Sequence, residues 1–143
     1  MKIYYACAIT GGRNDQPMYQ RMVEFLQSEG NVVLNAVISG AGFEGSDITR
    51  SPREVYTRDT TWIDESDALI AEVSTPSHGV GYEIAYALGK AKPVICLYQS
   101  GRMVSKMITG NTRPNLAVAP YRSIEEAAQI IQQFMKKITN NDG

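Results

Sequence analysis

Histidine occurs once and cysteine twice in the 143 residues, and that scarcity removes several chemistries at the outset. His78 has no second histidine with which to build a metal site, and no obvious nucleophile for which it would serve as base. No metal and no cofactor are therefore expected. Cys7 and Cys96 lie inside apolar, strand-like runs, where a free cysteine behaves as a small hydrophobe. A disulfide is not expected, which fits a reducing compartment. No apolar stretch approaches the ~20 residues of a membrane-spanning helix, and the N-terminus lacks the basic, apolar and small-residue succession of a signal peptide. The expectation is a cytoplasmic protein without membrane association. Runs of Lys or Arg are missing, and 14 basic against 15 acidic residues leave a net charge of -1. That balance argues against a nucleic-acid polymer or an anionic membrane as partner, and a small soluble ligand fits better. Internal repeats and low-complexity tracts are also absent, and 143 residues suit one domain with one core.

What is present is an alternation. Lys2–Ala8, Val32–Ala36, Ala68–Val73, Pro93–Tyr98 and Leu116–Ala119 read as strands, and segments of helical period separate them. Near-continuous apolar strands imply a parallel sheet covered on both faces, hence a doubly wound, flavodoxin-like α/β fold with five strands in the order 2-1-3-4-5. Ser51-Pro52-Arg53-Glu54 supplies a cap, a first-turn proline and a capping-box glutamate for a helix over Pro52–Glu65, and Ser123 with Glu126 repeats the pair before the last helix. Asn14 or Asp15 caps the first helix, whose apolar positions Met18, Met22, Phe25 and Leu26 run up to Gly30 as a stop signal. Ile38–Thr49 reads as a long irregular connection, and Thr139–Gly143 as a frayed polar tail.

In such a sheet, ligands bind beyond the carboxyl ends of the strands where strand order reverses, here between strands one and three. Two segments meet there. Ile9-Thr10-Gly11-Gly12 turns from strand to helix with paired glycines whose backbone N–H groups can approach an anion, although a tight turn alone would also use them. Ser74–Glu83 offers hydroxyls at a helix N-terminus with a carboxylate in its first turn, a placement the helix dipole also favours. Asp59 is the sharper signal, because it falls on the same helical stripe as Val55, Trp62 and Ile63. A carboxylate on a core-facing stripe needs a partner or a task. A raised pKa would suit a general acid, while pairing with Arg53 or Arg58, or a place at the stripe's edge, would make it structural. Tyr4 lies in the first strand, where a tyrosine is most often a core residue, and His78 reads as a loop residue.

Taken together, Tyr4 with the Gly11-Gly12 turn, Arg58-Asp59-Thr60-Thr61-Trp62, Ala71-Glu72-Val73, Ser77-His78-Gly79-Val80-Gly81-Tyr82-Glu83 and Ser100-Gly101-Arg102-Met103-Val104-Ser105 resemble the 2'-deoxynucleoside 5'-phosphate N-hydrolases, relatives of the nucleoside 2-deoxyribosyltransferases. The resemblance implies Glu83 as nucleophile on C1' of the deoxyribose, Asp59 as the group assisting base departure and water attack, and Tyr4 as the hydrogen-bond partner of Glu83. It implies substrate contacts from Ile9, Thr10, Gly11, Gly12, Ser77 and Gly79, and a homodimer in which Ser105 reaches the neighbouring subunit's site. Without the resemblance, Ser105 reads as the cap of a short helix. The transferases similar to this chain carry a carboxylate at the position of Ser77, where it would repel a 5'-phosphate. Cys7, Ala8 and Thr10 stand where nucleotide-hydrolase relatives have glycine, serine and arginine, which weakens two phosphate contacts. Arg13 and Arg102 are candidates for the missing positive charge. A transferase, or a binding module without catalysis, are the competing readings.

Overall fold

The structure, a computed structural model, describes residues 1–8, 16–36 and 49–141. Strand and helix alternate as β1 (Lys2–Ala6), α1 (Gln16–Ser28), β2 (Val32–Val33), α2 (Pro52–Glu65), β3 (Ala68–Glu72), α3 (His78–Gly89), β4 (Val94–Gln99), α4 (Lys106–Thr109), β5 (Leu116–Tyr121) and α5 (Ile124–Asn141). The five strands are parallel and lie in the order β2-β1-β3-β4-β5. This is the doubly wound arrangement that the alternation predicts.

The period of two along each strand divides the core into two layers. Ile3, Tyr5 and Cys7 of the β1 segment, with Ile70, Ile95 and Leu97, pack against α1 and α5. Tyr4 and Ala6, with Leu69, Ala71, Val94 and Cys96, face the opposite way and pack against Ile63 of α2 and Val80, Ile84 and Ala87 of α3. Each fully buried large apolar side chain contributes about 1.5–3 kcal/mol. The same alternation aims Tyr4 at the α2/α3 layer, whose helices carry Asp59 and Glu83.

Helix ends obey the predicted chemistry. Ser51 caps α2 by accepting from Glu54 N at 3.2 Å, and its hydroxyl donates to Glu54 Oε1 at 3.1 Å. Glu126 N donates to Ser123 Oγ at 3.1 Å at the start of α5. After α1 the chain turns through Gly30 at φ +86°, a left-handed conformation that favours glycine.

Four expectations need correction. The second strand pairs only over Val32–Val33, because the side chain of buried Asn35 takes over the ladder: Tyr5 N donates to Asn35 Oδ1 at 2.8 Å and Asn35 Nδ2 to Tyr5 O at 2.6 Å. β5 runs to Tyr121 despite Pro120, which an edge strand tolerates. Thr139–Asn141, read as frayed, continue α5, with Thr139 Oγ1 donating to Met135 O at 2.8 Å. His78, read as a loop residue, opens α3. Most of the connection Ile38–Thr49 and the caps Asn14 and Asp15 lie outside the described residues. Among the described residues no helix is long and apolar enough to cross a membrane.

Candidate active site

Glu83 is the sixth residue of α3, in its second turn and not the first as expected. Spaced three after Val80 and four before Ala87, both buried, it belongs to the stripe that faces the sheet. Tyr4, fully buried in β1, donates its hydroxyl hydrogen to Glu83 Oε2. Burial, and after it the negative charge of Glu83, push the phenol far above its ordinary range, so Tyr4 acts as a neutral donor at any physiological pH.

Burial also dominates Glu83 itself. Loss of water raises its carboxyl, the hydrogen bond from Tyr4 opposes that rise, the charge of Asp59 adds to it, and the charge of Arg58 opposes it. The outcome is a carboxyl pushed up to about 7. Asp59 lies on α2 within electrostatic reach of both Tyr4 and Glu83. Its Oδ1 is 2.8 Å from Arg58 Nε, with the two side chains 20% and 14% exposed. Asp59 therefore sits partly exposed and paired with Arg58, as the structural reading has it, and its charge also acts on Glu83.

Cys7, directly after β1, is a buried free thiol, pushed up to about 12 by burial and then by the charges of Glu83 and Glu72. At neutral pH it is a packed, protonated group and no nucleophile. Among the described residues no three His, Cys, Asp or Glu side chains gather in a way that could hold a metal ion.

Ser77 caps α3, its Oγ accepting from Val80 N at 3.3 Å. Because a hydroxyl carries one donor and two lone pairs, that bond leaves its hydrogen able to donate elsewhere. At Gly79 an added Cβ would meet only Ser77 Oγ at 3.9 Å, so the described residues impose no steric demand for glycine there. Ser105 caps α4 through Met107 N at 3.2 Å. It lines, with Ser77, a groove of about 800 Å³ on the flank of α3 that also includes Val80, Gly81, Ile84 and Ala85. Tyr4, Asp59 and Glu83 do not line that groove. Ile9, Thr10, Gly11 and Gly12 lie outside the described residues.

Sequence reasoning assigned no role to Glu72, which is fully buried at the end of β3. Its Oε1 accepts from Ser74 N at 2.6 Å, and its Oε2 from Ser74 Oγ at 3.1 Å and from the hydroxyl of Tyr121. Ser74 Oγ in turn accepts from Gln99 N at 2.8 Å, tying the β3–α3 connection to β4. The available signal was a carboxylate closing an otherwise apolar strand. Arg58 was weighed only as a partner for Asp59, yet it also lies 5.1 Å above the Trp62 ring.

Two carboxyl groups, one near neutrality and one ion-paired, beside a neutral phenol donor form an arrangement suited to nucleophilic and proton-transfer chemistry at a cation-forming carbon. The sequence pattern of the nucleoside 2-deoxyribosyltransferases matches residues 3–136. The chain belongs to that family. Among its relatives, a 5-hydroxymethyl-dUMP N-hydrolase of Tetraodon nigroviridis is 38% identical over 137 residues, covering 94% of this chain and 96% of that protein. A protein of the same name from Danio rerio is 34% identical over 144 residues, covering 99% and 100%. In fold, the deoxyribosyltransferase-family chain is similar to the solved Clostridium botulinum CMP N-glycosidase, with a TM-score of 0.71 at 23% identity over 94% of this chain and 99% of the other.

Proposed function

We propose that the protein hydrolyses the N-glycosidic bond of 2'-deoxynucleoside 5'-monophosphates, releasing the free base and 2-deoxyribose 5-phosphate. Membership of the family and relatives named as deoxynucleotide N-hydrolases support an N-glycosidase. The observation that carries the reading is the Tyr4–Glu83 pair beside Asp59. Ionised Glu83 attacks C1' as the bond to the base breaks, giving a glycosyl ester on Glu83. The proton that the Asp59–Glu83 pair shares sits on Asp59 when Glu83 is ionised; Asp59 delivers it to the departing base, then takes one from the water that attacks C1' and releases Glu83. Tyr4 orients the carboxylate for attack. The transition state has oxocarbenium character, and a sugar without a 2'-hydroxyl reaches it more easily.

Ser77 supports hydrolysis of nucleotides over transfer between nucleosides, since a hydroxyl can donate to a 5'-phosphate where a carboxylate would repel it. Ile9, Thr10, Gly11, Gly12 and Gly79 complete the proposed substrate contacts. Ser105 is proposed to reach the neighbouring site of a homodimer, a reading supported by its exposure beside Met103 and Met107, which are 93% and 83% exposed. The test is a panel of deoxynucleotides, ribonucleotides and deoxynucleosides, with released bases read by chromatography in the presence and absence of a competing base. Release of base and sugar phosphate from deoxynucleotides is expected. Faster transfer to the added base than to water would make the protein a transferase.

A further inference from the structure

Adjacent residues on a helix point about 100° apart and do not ordinarily face each other. Arg58 and Asp59 nevertheless meet at 2.8 Å, and the guanidinium that makes the contact lies over Trp62 one turn along, 5.1 Å from the ring centroid. With only 14% of the Arg58 side chain and 20% of that of Asp59 exposed, water screens this pair weakly. A guanidinium held by an aromatic face and bonding through Nε is a fixed charge, not a surface arginine sampling many rotamers.

The groups that act on Glu83 come from two parts of the chain. Tyr4 donates from β1, Cys7 lies beyond it on the same segment, and Asp59 and Arg58 act from α2. Of these Arg58 is the cation, and its charge acts on Glu83 and on Tyr4 as well as on Asp59. We propose that Arg58 is a positioning residue for the reaction: clamped on Trp62, it fixes the Asp59 carboxyl group beside the Tyr4–Glu83 pair and supplies a positive charge that favours ionised Glu83 in a site poor in water.

Two interacting carboxyls titrate as a unit, and a fixed cation beside one of them decides which form is populated near neutral pH. Without Arg58 a positive charge that favours ionised Glu83 is lost, and the proton that Glu83 must lose before attack is held more tightly. Removing the cation therefore moves the ionisation of Glu83 to higher pH.

This inference rests on the proposed N-glycosidase reading for its kinetic arm only. Arg58→Gln and Arg58→Lys would be compared with the wild-type protein in the pH dependence of kcat/KM and, independently, in a ¹³C NMR titration of the Asp and Glu side-chain carboxyls, assigned through Glu83→Gln. In Arg58→Gln the acid limb and the Glu83 carboxyl are expected to shift upward together by about half a pH unit or more. Arg58→Lys, which keeps the charge but loses the planar contact with Trp62, should restore most of that shift while kcat stays reduced. An unmoved Glu83 titration in a folded Arg58→Gln protein would overturn the proposal, as would a shift in Arg58→Lys as large as that in Arg58→Gln. Should the wild-type protein release no base from any deoxynucleotide, the functional reading fails while the NMR titration still decides the role of Arg58.

Discussion

The hydroxyl of Tyr4 donates to Oε2 of Glu83 across 79 residues of chain, joining the first strand of the sheet to the stripe of α3 that faces it. The pair is the meeting point of two periodicities: the strand period of two sends Tyr4 to the α2/α3 layer, and the helical period sends Glu83 toward the sheet. Its consequence is electrostatic, because the phenol offsets part of what burial does to the carboxyl.

Replacing Tyr4 by Phe keeps the ring in its fully buried place and deletes only the donor. Glu83 then loses a bond that favours its ionised form, so its ionisation moves to higher pH. The expected outcome is a kcat reduced about tenfold or more at pH 7, partly recovered on raising the pH, with a small change in Tm. A pH–rate profile superimposable on that of the wild-type protein would exclude Tyr4 from any role in preparing Glu83.

Glu83 should also cost the fold stability at alkaline pH. Its folded value of about 7 lies above the ordinary 4.5, so the native protein binds this proton more tightly than the unfolded chain. Stability contributed by the protonated form is complete below pH 4.5 and is lost as pH rises through about 7. Glu83→Gln removes that loss. The variant is expected to be more stable than the wild-type protein at pH 8, by up to about 3 kcal/mol, with little difference near pH 4.5, while base release falls by about a thousandfold or more. Denaturant melts at the two pH values check the first part and base chromatography the second. Equal stability increments at both pH values would mean that burial of the charge is not the cause.

The layer order, the five parallel strands and the span Pro52–Glu65 of the second helix were legible in the sequence because each rests on local signals: apolar runs, period, and the Ser51-Pro52 cap. The end of β2 was not, since Asn35 replaces backbone with side chain in the ladder, and nothing in a one-dimensional pattern distinguishes that from a turn. Asp59 was visible as a carboxylate on an apolar stripe, but its partner was ambiguous because neighbouring helical residues normally diverge. Glu83 was placed one turn too early, since α3 begins at His78, directly after its cap Ser77 and five residues before Glu83. The network of Glu72 joins β3 to Ser74, Tyr121 and β4, and a long-range set of contacts of this kind has no sequence signature beyond one misplaced charge.

That network supplies a stability prediction. Glu72→Ala would leave Ser74 N–H and the Tyr121 hydroxyl, both buried, without the acceptor they have, at about 1–3 kcal/mol for each lost partner. The variant is expected to unfold at least about 2 kcal/mol more easily. Glu72→Gln, which keeps an acceptor oxygen in place, should lose less. A Glu72→Ala protein as stable as the wild type would mean that the end of β3 is held by its backbone pairing alone.

Ser77 offers the sharpest separation of a local structural role from a proposed substrate contact. It caps α3 by accepting from Val80 N, a role that aspartate fills about as well as serine and glycine nearly as well. Ser77→Asp should therefore retain the helix and the Tm within about 0.5 kcal/mol of stability. Its effect on catalysis depends on what the hydroxyl faces. If it donates to a 5'-phosphate, a carboxylate in its place replaces a charge-assisted hydrogen bond, worth roughly 1.5–3 kcal/mol, with repulsion. The kcat/KM for a deoxynucleotide is then expected to fall by tenfold or more, carried mainly by KM, while that for the matching deoxynucleoside changes little or rises. Ser77→Gly, lacking both donor and charge, should fall between the two. The measurement is kcat/KM for both substrates in all three proteins at one ionic strength, since the repulsive part is screened by salt. A parallel fall for nucleotide and nucleoside would show that Ser77 acts only through the helix it caps, and the preference for a 5'-phosphate would then have to come from other residues.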